Sequence, residues 1–191
     1  PPSTARATRQ TPVKRRHPRL AAPSRLALLT EAEVLDGADL GNGEAVVDLK
    51  EVDVLDLLVS KYSKEKIKRK IAEYKPDIVG ITCVTMSSPV ASEILKYCKS
   101  VNKKLITVIG GPHVTFNAEG TLKEAPWIDI VVRREGEFTM LDIVNGMKLS
   151  DIDGIAYRDK DGTIKLTKER ALIEKLDELP APARHLFPIS K

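Results

Sequence analysis

Apolar and polar positions change rhythm several times along this chain, and each change marks an element. Val52-Asp53-Val54-Leu55-Asp56 alternates with a period of two, as a half-buried strand does. Ser63 then stands where a helix cap belongs, ahead of Ile67, Ile71 and Tyr74 at helical spacing amid Lys and Glu. Lys75-Pro76-Asp77 breaks that helix and leads into Ile78-Val79-Gly80-Ile81-Thr82-Cys83, a continuous apolar run that predicts a strand buried on both faces. Ser88-Pro89 reads as an N-cap followed by a first-turn proline, opening a helix with Val90, Ile94, Cys98 and Val101 on one stripe. A second β-branched run over 105–109 stops at Gly110-Gly111-Pro112-His113. Asn117 caps a short helix that Pro126 ends, 128–132 is a further buried strand, and Phe138, Leu141 and Val144 mark a helix running to Gly146.

Strand and helix therefore alternate at least three times with short connections, which predicts an α/β fold: a parallel sheet with helices on both faces. The rhythm changes again near 150. Ile155-Ala156-Tyr157 and Ile164-Lys165-Leu166 alternate around Asp159-Lys160-Asp161-Gly162, the signature of a β-hairpin. Leu176-Asp177-Glu178-Leu179-Pro180-Ala181-Pro182 reads as an extended exit segment. Ahead of Val52 the signal is weak. Residues 26–35 fit a helix or a poor strand, and Gly41-Asn42-Gly43 is a turn. The expected organisation is a disordered tail over 1–30, an α/β domain over 31–147, and a hairpin with linker over 148–191.

Charge reinforces that division. The formal net charge is +4, yet residues 1–30 carry seven basic side chains and no acid, leaving 24 basic against 27 acidic residues elsewhere. Basicity belongs to the Pro- and Arg-rich tail, so the folded body has no nucleic-acid signature. No apolar run approaches a membrane span and no apolar leader is present. Cys83 and Cys98 have no metal-binding spacing, both read as buried hydrophobes, and a reducing cytoplasm suits them.

The chemistry gathers where strands end. Thr82, Thr85 and Ser87 follow one strand, Gly110, Gly111, Pro112 and His113 the next, and Glu135, Gly136 and Glu137 the last. In a parallel sheet these ends share one edge, which offers hydroxyls, glycine backbone and helix N-termini to a large polar ligand. Glycines permit positive φ and let a ligand approach the backbone closely. Glu135 and Glu137 suit ligand hydroxyls, Glu137 equally a helix cap. His113 has neither acid nor nucleophile at motif spacing and reads as a rim contact. No catalytic residue and no metal ligand is assigned, and neither GxGxxG nor GxxxxGK[ST] occurs.

Three runs together, Lys75-Pro76-Asp77-Ile78-Val79-Gly80-Ile81-Thr82, Ile109-Gly110-Gly111-Pro112-His113 and Asp129-Ile130-Val131-Val132-Arg133-Arg134-Glu135-Gly136-Glu137, resemble the cobalamin-binding domain of B12-dependent radical SAM enzymes. The similar group is the one containing the anaerobic magnesium-protoporphyrin monomethyl ester oxidative cyclase and methyltransferases. Its hairpin and exit motifs match Ile152-Asp153-Gly154-Ile155-Ala156-Tyr157-Arg158 and Leu176 through Ala183. The resemblance covers about 52–188. It implies a flavodoxin-like, Rossmann-like sheet with the corrin over its carboxyl edge and the nucleotide tail among the loops. It places Thr82, Thr85, Ser87, Gly110, Gly111, Gly136 and Glu137 on the cofactor, with the dimethylbenzimidazole sliding against the double glycine.

The departures from the family pattern carry expectations of their own. The D-x-H-x-x-G motif that supplies a lower axial histidine is missing, so the resemblance implies base-off cobalamin without a histidine ligand, and His113 is not assigned to cobalt. CxxxCxxC is absent. S-adenosylmethionine and a 4Fe–4S cluster then belong to a C-terminal radical SAM domain outside this chain, making the chain a binding module for that partner. The family's first strand matches poorly here, with 26–35 or 44–49 as substitutes. The alternative reading is a flavodoxin-like interaction or vestigial domain that no longer binds cofactor. A phosphoacceptor receiver fits poorly because Thr82-Cys83 ends the strand where an acid is needed, and a stand-alone enzyme lacks a nucleophile.

Overall fold

The computed structural model describes residues 26–29, 52–55, 57, 62–182 and 186. Among the described residues, seven strands form one sheet in the order β2-β1-β3-β4-β5-β6-β7. β1 (Leu26–Leu29), β2 (Val52–Leu55), β3 (Ile78–Thr82), β4 (Ile106–Gly110) and β5 (Ile130–Val132) pair in parallel. The order 2-1-3-4-5 is that of the flavodoxin-like fold, with its switch point between β1 and β3. β6 (Ile155–Arg158) and β7 (Ile164–Leu166) are the predicted hairpin, which extends the same sheet in antiparallel fashion.

β1 corrects the expected boundary at residue 30. Leu26–Leu29 lies between β2 and β3, so these residues belong to the sheet and not to a tail. They also take the place of the poorly matched first strand. The expected tail over 1–25, the turn at 41–43 and the substitute strand at 44–49 lie outside the described residues.

Helices cover both faces, each placed by the side chains it buries. α1 (Lys64–Tyr74) is capped by Ser63, whose hydroxyl accepts the Lys66 N–H at 3.4 Å. It ends where Lys75, at φ 51°, donates its N–H to the Ile71 carbonyl. Its Ile67 and Ile71 share one core with Ala91, Ile94, Leu95 and Cys98 of α2 (Ser88–Val101), a core that also takes in Leu122 of α4 (Ala118–Glu124). Between β4 and α4 lies the single-turn α3 (Pro112–Phe116), which buries Val114. On the opposite face α5 (Glu137–Val144) buries Ile143 and Val144 against Ile78, Val108, Ile130 and Val132. Each such fully buried aliphatic contributes about 1.5–3 kcal/mol.

Three helix expectations shift. α2 begins after Ser87 rather than at a Ser88 cap, and neither the helix stripe nor the core includes Val90, which is 55% exposed in the first turn. The buried face of α5 is Thr139, Ile143 and Val144, one residue round from the predicted one, so Phe138 and Leu141 are only partly covered. Asn117 precedes α4 without making a side-chain cap.

At the amino edge of the sheet the polar residues are structural. The Asp129 carboxylate receives the Thr107 N–H (2.9 Å), the Thr107 hydroxyl (3.0 Å) and the Lys99 ammonium, all largely buried. This network ties α2 to β4 and β5 at the end opposite the glycines.

Candidate functional site

β3, β4 and β5 are neighbours in one parallel sheet, so their carboxyl ends meet at a common edge, as the sequence predicts. Thr82 pairs directly with Gly110, which puts both on one face at the sheet's last rung. By the same alternation that face is the one covered by α5, where Val108 and Val132 are buried.

The two adjacent glycines do different jobs. Gly111 has φ 103° and ψ 170°, a conformation essentially reserved for glycine. A Cβ there would stand 2.3 Å from the Cys83 carbonyl oxygen and 2.9 Å from the Cys83 nitrogen. The bare backbone at Gly111 is therefore required by the protein's own packing. Gly110 differs. A Cβ there would meet only Val132, at an ordinary 3.8 Å. Gly136, across the edge, is similar: its nearest neighbour would be the Val132 Cγ1 at 3.5 Å. Gly110 and Gly136 thus flank one side chain, Val132, and no backbone strain or internal contact demands a glycine at either.

The loops around this edge are stitched together. The Cys83 N–H donates to the Gly110 carbonyl at 3.0 Å. His113 Nδ1 lies 3.3 Å from the Thr85 hydroxyl, linking the turn after β3 to α3. Thr115 donates its hydroxyl to the Gly111 carbonyl (3.0 Å) and accepts the N–H of Arg134 (2.9 Å), linking α3 to the turn after β5. Arg134 has φ 62°, a left-handed conformation rare for a residue with a side chain.

Several predicted ligand contacts already have protein partners. Ser87 spends its hydroxyl closing the 84–87 turn, accepting the Val84 N–H at 3.1 Å. Glu135 accepts the N–H of Ile173 at 2.6 Å, and so faces the segment after β7. Glu137 is different: one carboxylate oxygen is buried, with no hydrogen-bond partner among the described residues. It sits in the first turn of α5, beside Gly136. Thr85 is exposed and Thr82 half-buried. Cys83 is 2% exposed, and burial raises its thiol pKa despite a hydrogen bond with Ser88, so it is no nucleophile. Sequence reading missed Val132, Thr115 and Arg134. Nothing in the sequence marks Thr115, because α3 itself is too short to give a periodic signal.

At this edge the backbone of Gly110 and Gly136 is open beside Val132, Thr82 shares the last rung with Gly110, and Glu137 starts the helix that follows Gly136. Exposed apolar side chains, Met86 at 92% and Phe116 at 91%, follow β3 and β4 at the same end of the sheet.

Comparison with known proteins agrees with this geometry. A family model described as the B12 binding domain matches residues 26–144, which begins at β1 and ends with α5. The uncharacterized methyltransferase PH0819 of Pyrococcus horikoshii is 38% identical over 145 residues, covering 74% of this chain and 31% of that protein. The anaerobic magnesium-protoporphyrin IX monomethyl ester cyclase of Rubrivivax gelatinosus is 40% identical over 136 residues, covering 68% of this chain and 24% of the cyclase. The chain thus spans between a quarter and a third of the length of these relatives. Among solved structures, the cobalamin-dependent S-adenosylmethionine radical enzyme OxsB, with aqua-cobalamin and S-adenosylmethionine bound, shares the fold. Its TM-score is 0.63 at 22% identity, covering 85% of this chain and 24% of OxsB.

Proposed function

The chain belongs to the B12 binding domain family, and from that premise we propose that it holds cobalamin across the carboxyl edge of β3, β4 and β5 on behalf of a radical S-adenosylmethionine catalytic domain. The observation that carries this reading is the pair Gly110 and Gly136. Both leave backbone open beside Val132 where the fold itself has no need of glycine. A flat heteroaromatic group such as the dimethylbenzimidazole of the cofactor's tail fits a slot of that kind, bounded by backbone and floored by an aliphatic side chain.

In this reading the chain's residues bind and orient. Thr82 and Thr85 present hydroxyls to the nucleotide tail or the corrin amides. Glu137 turns its unpaired carboxylate oxygen to a ligand hydroxyl or amide. Gly111 shapes the loop at the same edge, and Ser87 and Glu135 would reach the ligand from loops that their own hydrogen bonds hold in place. His113, 3.3 Å from the Thr85 hydroxyl, would be a rim contact and is not assigned to cobalt, and in this reading the cofactor would be held base-off without a histidine ligand. Cobalamin, when bound, supplies a cobalt centre able to carry a methyl group. The methyltransferase and cyclase relatives make alkyl transfer or oxidative ring closure the reaction such a module serves. Two free, buried thiols suit a reducing, cytoplasmic setting.

Titration with hydroxocobalamin, followed by visible absorbance, tests the reading against cobinamide, which lacks the nucleotide tail. Cobalamin is expected to bind at least about tenfold more tightly than cobinamide. No binding of either overturns it in favour of an interaction domain of the same fold, and equal affinity for the two overturns the slot for the nucleotide tail beside Val132.

A further inference from the structure

The segment following β7 runs back across the turn that joins β5 to α5, and three consecutive side chains of that turn reach it. Arg133 donates from Nη2 to the Thr167 carbonyl at 2.6 Å, and Arg134 pairs with Glu169 at 2.7 Å. Glu135 receives the Ile173 N–H at 2.6 Å. Further along, Arg170 pairs with Asp142 of α5 and reaches the Asp153 carbonyl, while the Gly154 N–H donates to the Lys168 carbonyl at 2.7 Å. Residues 167–173 are therefore strapped to the turn by consecutive side chains of the turn itself. Arg134 is held in its left-handed conformation from both ends, its N–H on Thr115 and its guanidinium on Glu169.

We propose that residues 167–173 act as a strap that sets the position of the Gly136-Glu137 turn, with Arg134 and Glu135 as positioning residues for the ligand cleft. The inference rests on the reading of that cleft as a cobalamin site, but the strap itself does not depend on the ligand. The physical ground is the strain at Arg134. A residue at φ 62° persists only where its surroundings over-determine it; one of its two anchors, Glu169, belongs to the strap, as does Ile173, which holds the neighbouring Glu135. Releasing the strap lets the turn relax, moving Gly136 and the first turn of α5 relative to Val132. The turn's acidic and basic residues are thereby accounted for without contact to any ligand, and the segment leading out of the domain becomes mechanically linked to the site.

The test uses the full chain, with Glu135→Ala removing the acceptor, Glu135→Gln retaining it, and hydrogen exchange read in the absence of ligand. In Glu135→Ala, amides of 168–173 and also of 134–137 are expected to exchange about tenfold faster, the equivalent of one lost charge-assisted hydrogen bond, while amides of β4 keep their protection. Glu135→Gln restores both. The hydroxocobalamin dissociation constant should rise about tenfold in Glu135→Ala and return towards wild type in Glu135→Gln. Faster exchange confined to 168–173, with 134–137 unchanged, overturns the proposal. So does an unchanged dissociation constant in Glu135→Ala. If the wild-type chain takes up no cobalamin, the cofactor reading falls, and the exchange at 134–137 still decides whether the strap positions the turn.

Discussion

Replacing Gly111 with alanine puts a methyl group where the structure has backbone. At φ 103° and ψ 170° an alanine carries a conformational penalty of about 1–3 kcal/mol. Its Cβ, 2.3 Å from the Cys83 carbonyl oxygen and 2.9 Å from the Cys83 nitrogen, meets rigid strand-end backbone rather than a side chain that can swing away. Relieving that overlap costs a further ~1–3 kcal/mol, as overpacking typically does. The combined loss of about 2–6 kcal/mol is a large part of the stability of an ordinary domain. Gly110→Ala is the matched control. Its Cβ lies 3.8 Å from Val132, and relief of the glycine entropy cost in a strand makes it neutral or stabilising by up to about 1 kcal/mol. Urea denaturation followed by circular dichroism separates the two: the Gly111→Ala midpoint falls sharply, and that of Gly110→Ala holds or rises. Equal destabilisation by both substitutions, or a Gly111→Ala variant within about 0.5 kcal/mol of wild type, refutes this division of labour between the two glycines.

Other consequences are equally direct. Asp129→Ala strands the Lys99 ammonium, which is 14% exposed, and should cost about 3–5 kcal/mol in urea denaturation; a loss under about 1 kcal/mol would show that the network is not structural. Burial pushes the Cys98 thiol up to about 12, against 9.0 for the free group. Because the unfolded chain releases this proton first, stability falls as pH rises above 9 and the loss is complete near 12, at about 1.4 kcal/mol per pH unit. Cys98→Ala should remove that slope between pH 9 and 11 while lowering stability at pH 7, and a slope identical to wild type contradicts the assignment. His113→Ala should leave stability within about 0.5 kcal/mol and leave the visible spectrum of bound hydroxocobalamin unchanged; a shifted spectrum would make His113 an axial ligand after all.

The sheet's centre was legible because β3 and β4 are continuous apolar runs between strong breaks, and a strand buried on both faces has no other appearance. The hairpin was legible from its Asp-Gly turn. β1 was not, since its four residues follow an Arg- and Pro-rich stretch and it is held by pairing with β2 and β3, a non-local fact. The α5 face was misjudged because Thr139 is buried and its hydroxyl reaches the Asp153 carbonyl at 3.4 Å, a contact that a hydropathy pattern does not contain. At the site, neighbouring residues of one type differ in their surroundings in ways the sequence does not carry. Gly110 and Gly111 look alike in sequence, and only the φ of one and the open side of the other tell them apart. Glu135 and Glu137, two residues apart, differ likewise: one accepts the Ile173 N–H, and the other has a buried carboxylate oxygen with no hydrogen-bond partner among the described residues.

The cleft beside Val132 is tested most directly by reconstituting the wild-type chain and a Gly110→Val variant with hydroxocobalamin, desalting both, and recording the visible spectrum alongside circular dichroism. The wild-type protein should retain about one equivalent of corrin. The variant, folded by circular dichroism, should come through colourless because its side chain fills the slot. A colourless wild-type protein, or a Gly110→Val variant that keeps its cobalamin, would contradict the account.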